Sequence, residues 1–264
     1  MPDSPPRPIP NARVSARAIY QTIRRDGEEE MARPMGSLWW SGVAAGIAIS
    51  TSVIAEGLLH THLPDSPWRE PLQAFGYCVG FVLVVLGRMQ LFTENTITAV
   101  LPLMAQTNRQ ALMCIARLWS VVLIANLLGT LVAATFTDII GFATADQLAA
   151  FHEVSRPLLE KGWLETLLHG IPAGFFVAAM VWMLPNARGS EIWVIVITTY
   201  MIAIGGFAHV VVGSMEAFLL VLADEVALGD ALWNCLVPAF IGNVLGGTVL
   251  FSLLAYGQVR QEID

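Results

Sequence analysis

The chain has 264 residues, of which 55% are hydrophobic and only 13% charged, with a formal net charge of −7. A soluble domain carries about 25% charged residues. Half that share, set out as long charge-free runs, excludes an ordinary soluble domain and describes a polytopic membrane protein. The three cysteines, Cys78, Cys114 and Cys235, lie in or at apolar segments without disulfide or zinc spacing, and read as small buried hydrophobes.

Residues 1–34 are rich in Pro, Arg and Glu and carry no signal-peptide pattern. Composition predicts disorder over residues 1–12. From Ser15 to Ala32 it predicts a polar surface helix with Ile19, Tyr20 and Ile23 on one side, of the kind that can lie along a membrane. A membrane span needs about 20 apolar residues. Leu38–Leu59 is the first, with Glu56 near its end. Residues 60–71 form a proline-marked loop. Leu72–Gly87 is too short to span comfortably and stops at Arg88 and the polar stretch Gln90–Thr96. Because the short run Ile97–Ala105 follows, residues 72–105 read as one broken span. Leu118–Phe136 is the third span, entered through Arg117. Residues 137–162 form a longer polar loop. Thr166–Leu184, with His169 at its start, is the fourth span. Ile192–Met215 is the fifth, with Gly205, Gly206, His209 and Gly213 in its second half, followed by Glu216 and a short apolar run. Asp224–Asp230 is an acidic loop, and Ala231–Tyr256 is the sixth span.

A repeat runs through these segments. Ala125-Asn126-Leu127-Leu128-Gly129-Thr130 returns as Gly242-Asn243-Val244-Leu245-Gly246-Gly247-Thr248, and Gly42-Val43-Ala44-Ala45-Gly46 returns as Gly170-Ile171-Pro172-Ala173-Gly174. Small residues recur in membrane proteins because they allow close helix packing, but here order and spacing agree as well. Duplicated halves, each with an interrupted span, mark a transporter or channel with its site near the midplane. Residues 38–136 and 163–256 are the two repeats within a pore domain of residues 35–257, and residues 258–264 form a tail. The fifth span is also long enough to be one straight helix. Six spans put both termini on one side. Arg7, Arg13, Arg17, Arg24, Arg25, Arg33, Arg109, Arg117, Arg188 and Arg260 fall there, against Arg69, Arg156 and Lys161 opposite. That bias assigns both termini to the cytoplasm, and leaves Arg88 in the membrane zone, where Glu94 or Glu56 is its candidate partner.

His209, in an apolar stretch flanked by glycines, is the leading site residue, since an ionisable group inside a span is a functional hypothesis by default. The alternative is a neutral histidine bonded within the bundle. Leu91-Phe92-Thr93-Glu94-Asn95-Thr96 places hydroxyls and an amide where two half-helix ends would meet, and a helix N-terminus attracts anions. Asn126 and Asn243 occupy equivalent repeat positions and read as supports for freed backbone. His169 is either interfacial or part of an inner vestibule. Signatures of metalloproteases, serine hydrolases and phosphate-binding loops are missing. Nothing implies an enzyme, a cofactor, a metal or a nucleic-acid partner.

From Leu38 to Tyr256 the chain resembles the formate/nitrite transporter family. Leu91-Phe92-Thr93-x-Asn95-Thr96 is similar to the family's loop in the broken second helix, and Gly206-Phe207-x-His209 to its signature in the fifth. Trp119 with Asn126-Leu127-Leu128-Gly129 resembles the third helix, and Pro238 with Gly242–Gly247 the sixth. The resemblance implies an all-α, aquaporin-like fold of six transmembrane helices in two inverted repeats, with helices 2 and 5 broken. It implies a homopentamer in a bacterial inner membrane, passing small monovalent anions such as formate, nitrite or hydrosulfide. Thr93 and His209 would be the central pore pair, Leu91 and Phe92 the cytoplasmic constriction, and Tyr77, Phe81 and Ile202 the outer one. Asn95 and His169 would also face the pore. The departures are Gln90, Glu94, Gly213, His169 and Ala173-Gly174, which place the chain nearest the YfdC-type branch.

A bare small anion in a low-dielectric pore costs about 20 kcal/mol in the Born limit. Protonating a carboxylate at neutral pH costs about 4 kcal/mol. The implied path is passage as the neutral acid, with the proton supplied by His209 or by water beyond it. A neutral-solute or water channel of the same fold, and a non-conducting membrane binding or sensor protein, are the other classes the residues allow.

Overall fold

The computed structural model describes residues 14–105 and 108–263, and helix is the secondary structure found among them. Residues 1–12 lie outside the described residues. Helix α1 (Ala16–Ala32) starts where the Ser15 hydroxyl accepts the Ala18 N–H at 3.3 Å. Arg24–Glu28 and Arg25–Glu29 pair along its outer face at 2.9 and 3.1 Å. Ile19, Tyr20 and Ile23 are buried against Ile97, Leu101, Val181 and Val259, so the helix spends its apolar stripe on protein rather than on lipid.

Helices α2 (Met35–Ile49) and α3 (Thr51–His62) together form the 28-residue apolar segment Met35–His62. Helix α4 (Arg69–Leu86) follows, then α5 (Phe92–Thr98), α6 (Val100–Ala105) and the 30-residue α7 (Arg109–Asp138). The third apolar segment is therefore longer than Leu118–Phe136, because Asn108 caps a polar first turn by accepting the Ala111 N–H at 2.8 Å. Residues 137–162 are not simply a loop. They contain α8 (Ala145–Ser155) and the single turn α9 (Pro157–Glu160). A capping box starts α8, with the Thr144 hydroxyl on the Gln147 N–H and the Gln147 side chain returning to the Thr144 N–H. Phe151 of α8 packs on Gly57 of α3.

Helix α10 (Trp163–Met183) runs through Pro172, α11 (Glu191–Ile204) and α12 (Val210–Leu222) are shorter, and α13 (Leu228–Asp230) is one turn inside the expected acidic loop. The last long segment, Leu228–Ile263, contains α14 (Val237–Val244) and α15 (Leu253–Ile263), with wider π-helical winding over Ala231–Leu236 and Leu245–Ser252. Among the described residues, five helical segments are long and apolar enough to cross a membrane, and α11 and α12 are shorter apolar helices. Trp40, Trp193, Ile124 and Leu254 are each more than half exposed, an outer surface suited to lipid and not to water.

Two close helix crossings fix the frame. Helix α2 meets α7 at Gly46, where an added Cβ would lie 2.2 Å from the Asn126 carbonyl oxygen. Helix α10 meets α14 at Gly174, where an added Cβ would lie 2.2 Å from the Asn243 carbonyl oxygen. Backbone contact this close is open only to glycine. It places Asn126 and Asn243 at matching points, one beside each non-helical stretch.

Candidate functional site

Two non-helical stretches bring the site together. Residues 87–91 separate α4 from α5, and residues 205–209 separate α11 from α12. Their backbones match in detail. Gly87 N–H bonds to Leu83 O and Gly205 N–H to Met201 O; Met89 N–H bonds to Val84 O and Phe207 N–H to Ile202 O. Arg88 and Gly206 both adopt a positive φ, 53° and 58°. Only glycine takes that conformation without strain, so Arg88 carries a cost that Gly206 does not. Arg88 is exposed and, among the described residues, makes no ion pair with Glu94 or Glu56.

The backbone groups freed at each stretch go to one asparagine. Asn126 Oδ1 accepts the Phe92 N–H at 2.9 Å, while its Nδ2 donates to Gly42 O at 2.8 Å and Gln90 O at 2.9 Å. Asn243 Oδ1 accepts the Val210 N–H at 2.9 Å, and its Nδ2 donates to Gly170 O at 2.9 Å and Ala208 O at 2.7 Å. Both side chains are fully buried. At membrane depth no water is at hand to satisfy such groups, and these bonds are what permits non-helical backbone there.

Thr93, in the first turn of α5, and His209, immediately before α12, meet between the two helix starts. Thr93 Oγ1 and His209 Nε2 are 2.8 Å apart and buried. The other ring nitrogen, Nδ1, accepts the Val212 N–H at 3.2 Å and so caps α12. An accepting Nδ1 carries no proton. The proton therefore sits on Nε2 and is donated to the Thr93 hydroxyl. A second proton placed on Nδ1 would face the Val212 N–H and break the cap. Phe81 stands edge-on to the His209 ring at 5.1 Å, with Tyr77 5.4 Å beyond it, and Ile202 is buried nearby in the core. Leu91 and Phe92 are buried as well. Phe92 stacks on Phe240 at 5.3 Å and meets Trp119 edge-on at 5.7 Å.

Asn95 faces away from this pair. Its amide Nδ2 donates to Glu30 of α1 at 3.0 Å, and Thr98 and Gln90 donate to the same carboxylate at 2.6 and 3.2 Å. Burial pushes the Glu30 carboxyl above the ordinary carboxylate range, against the pull of those donors. His169 is half-buried, with Nδ1 3.3 Å from Gly206 O.

On the other side His209 closes a cavity of about 800 Å3. Its wall includes Tyr77, Ile202 and Gly206, together with Glu56, Lys161, Thr166 and Glu216, which the sequence reading did not assign to a site. Lys161 Nζ donates to Gly206 O at 2.7 Å, the carbonyl that His169 also faces. The one sequence signal for this wall was charge inside or beside apolar runs, at Glu56 and Glu216. Lys161 and Thr166 carry no such mark.

The formate/nitrite transporter family model matches residues 17–257. Inner membrane protein YfdC of Escherichia coli (strain K12) is 37% identical over 249 residues, covering 94% of this chain and 80% of that protein. Two solved structures share the fold. An FNT family ion channel superposes with a TM-score of 0.76 at 19% identity, over 92% of this chain and 98% of its own. A pentameric formate channel with formate bound gives 0.71 at 18% identity, over 90% and 99%. The chain belongs to the formate/nitrite transporter family.

Proposed function

We propose that this chain is a membrane channel for small monovalent anions of the formate, nitrite or hydrosulfide type, which it passes as the neutral acid. The observation that carries the reading is the buried Thr93–His209 pair, set between two helix starts. Helix N-termini are electropositive and favour an anion. Nε2–H of His209 donates to the Thr93 hydroxyl and is the donor that a passing acid takes over, and that hydroxyl is both donor and acceptor. Leu91 and Phe92 on one side, and Tyr77, Phe81 and Ile202 on the other, form apolar constrictions. A charged ion loses its hydration there, whereas a neutral acid crosses at lower cost.

In this reading the protomer has six spans in two inverted repeats, and the second and fifth are broken at residues 87–91 and 205–209. The matched bonds of Asn126 and Asn243 support that arrangement. Residues 35–257 form the pore domain, residues 1–34 and 258–264 lie on the cytoplasmic side, and five protomers assemble with one pore each. Lipid-facing residues such as Trp40 and Ile124 leave a broad apolar perimeter for bilayer and neighbours.

The test is flux into liposomes holding the pure protein, compared across formate, nitrite, hydrosulfide, acetate and glycerol. The expected result is rapid passage of the small acids and slow passage of glycerol. Glycerol flux equal to formate flux would make the protein a neutral-solute channel. Absence of any flux from assembled protein would make it a binding or sensor protein.

A further inference from the structure

A second polar cluster stands ahead of His209 on the vestibule side. Glu56 of α3 and Glu216 of α12 both line the 800 Å3 cavity, and among the described residues neither has a hydrogen-bond or ion-pair partner. Thr166 of α10 lines the same cavity, is 1% exposed, and keeps its buried hydroxyl without a partner. A buried hydroxyl in a native protein is nearly always bonded, so this one points to a polar ligand. Lys161 is the cation facing Glu216. Tyr77, Cys235 and His209 are the other titratable groups near it, and His60, Asp65, Arg69, Glu70 and Glu153 line the rest of the cavity.

An anion entering from this side meets two carboxyl groups before it meets His209. Charged carboxylates repel it. A carboxyl that holds a proton attracts it, since the O–H donates to the anion. Anion and proton therefore favour one another in this cavity. His209 is poorly placed to supply the proton, because its Nδ1 is committed to the Val212 N–H.

Building on the proposed function, we propose that Glu216, assisted by Glu56, hands the anion its proton in the vestibule, and that the Thr166 hydroxyl holds the acid there. With formate as the substrate, the O–H bond of the Glu216 carboxylic acid breaks and an O–H bond forms on formate. Formic acid moves on to the Nε2–H of His209. Glu216, left as a carboxylate facing Lys161, takes its next proton from a hydronium ion in the vestibule. The vestibule then admits acid rather than anion, and the proton travels with the substrate.

The experiment measures formate uptake and internal pH together in liposomes, for wild type, Glu216→Gln, Glu56→Gln/Glu216→Gln, Glu216→Asp and Thr166→Val. Size-exclusion chromatography checks assembly of each. At external pH 7.5 the Glu216→Gln variant is expected to lose at least 10-fold in formate flux, and the double variant more. The loss narrows at pH 5.5, where bulk formic acid bypasses the carboxyl. Glu216→Asp keeps the wild-type pH profile, and Thr166→Val raises the formate concentration at half-maximal flux. Wild-type rate and pH profile in the double variant would overturn the inference while leaving the channel function intact. So would a faster flux that carries current, which would make the carboxylates a mere electrostatic barrier. A wild-type protein that moves no weak acid would refute the channel function itself, and the inference with it.

Discussion

Replacing Asn243 by leucine isolates what holds the stretch at residues 205–209 open. Leucine keeps the branching at Cγ and is somewhat larger, so no cavity opens, although its extra bulk adds to the loss. It deletes the bonds to Val210 N, Gly170 O and Ala208 O, at 2.9, 2.9 and 2.7 Å. Each buried group left without a partner costs about 1–3 kcal/mol, which sums to about 3–9 kcal/mol at a site that water cannot reach. Asn126→Leu deletes the same set, to Phe92 N, Gly42 O and Gln90 O, at 2.9, 2.8 and 2.9 Å. The two losses should therefore agree to within about 1 kcal/mol, inside the ordinary context-dependence of single hydrogen bonds. The assay is reversible unfolding in detergent titrated with dodecyl sulfate, followed by tryptophan fluorescence. A loss below about 1 kcal/mol in either variant would show that the asparagines are not what satisfies this backbone. A large loss in one and none in the other would refute the equivalence of the two stretches.

Thr93→Val removes the acceptor of the His209 Nε2–H at 2.8 Å without changing shape; liposome flux should drop about tenfold, the equivalent of one hydrogen bond, with assembly intact by native mass spectrometry. Gly174→Ala should lower stability in the same unfolding assay, because its Cβ would sit 2.2 Å from the Asn243 carbonyl, whereas Gly257→Ala in α15, with nothing within 4 Å, should be neutral or raise it. Burial raises the Glu30 carboxyl above its ordinary value of 4.5, and Asp26 beside it moves the same way. A carboxyl raised in the docked state makes docking weaken as pH climbs from 4.5 through the raised value, and leaves it level above that. Amide exchange across α1, corrected for intrinsic rate, should therefore show less protection at pH 8 than at pH 5, and Glu30→Gln should flatten the difference. Equal protection at both pH values in the wild type would remove Glu30 from the docking account.

Much of the frame was legible because lipid and close packing both write themselves into sequence. Long charge-free runs locate the apolar helices, and Gly46 and Gly174 recur because the helices cross where a Cβ would strike backbone. The pairing of Thr93 with His209 was reachable through the ordered motifs. Other features were hidden for physical reasons. Helix α8 reads as polar loop because one face meets water, although Thr144 and Gln147 spell its capping box. Helix α1 reads as one that can lie along a membrane, yet Tyr20 and Ile23 are taken up by residues far along the chain, Leu101 and Val259. The vestibule wall draws Glu56, Lys161, Thr166 and Glu216 from four separate segments, and no local pattern joins them. Arg88 shows the limit of charge matching in one dimension. It sits exposed at a positive φ of 53° and, among the described residues, forms no ion pair with either carboxylate that sequence offers as a partner.

The central claim is that the substrate crosses the Thr93–His209 region as a neutral acid. Simultaneous recording of formate flux and membrane current, across a bilayer holding the pure protein under a formate gradient, tests it most directly. The account predicts formate flux accompanied by acidification of the receiving side, one proton per formate, with no net current. A current whose reversal potential follows the formate gradient would contradict it and make the pore a conductor of the bare anion.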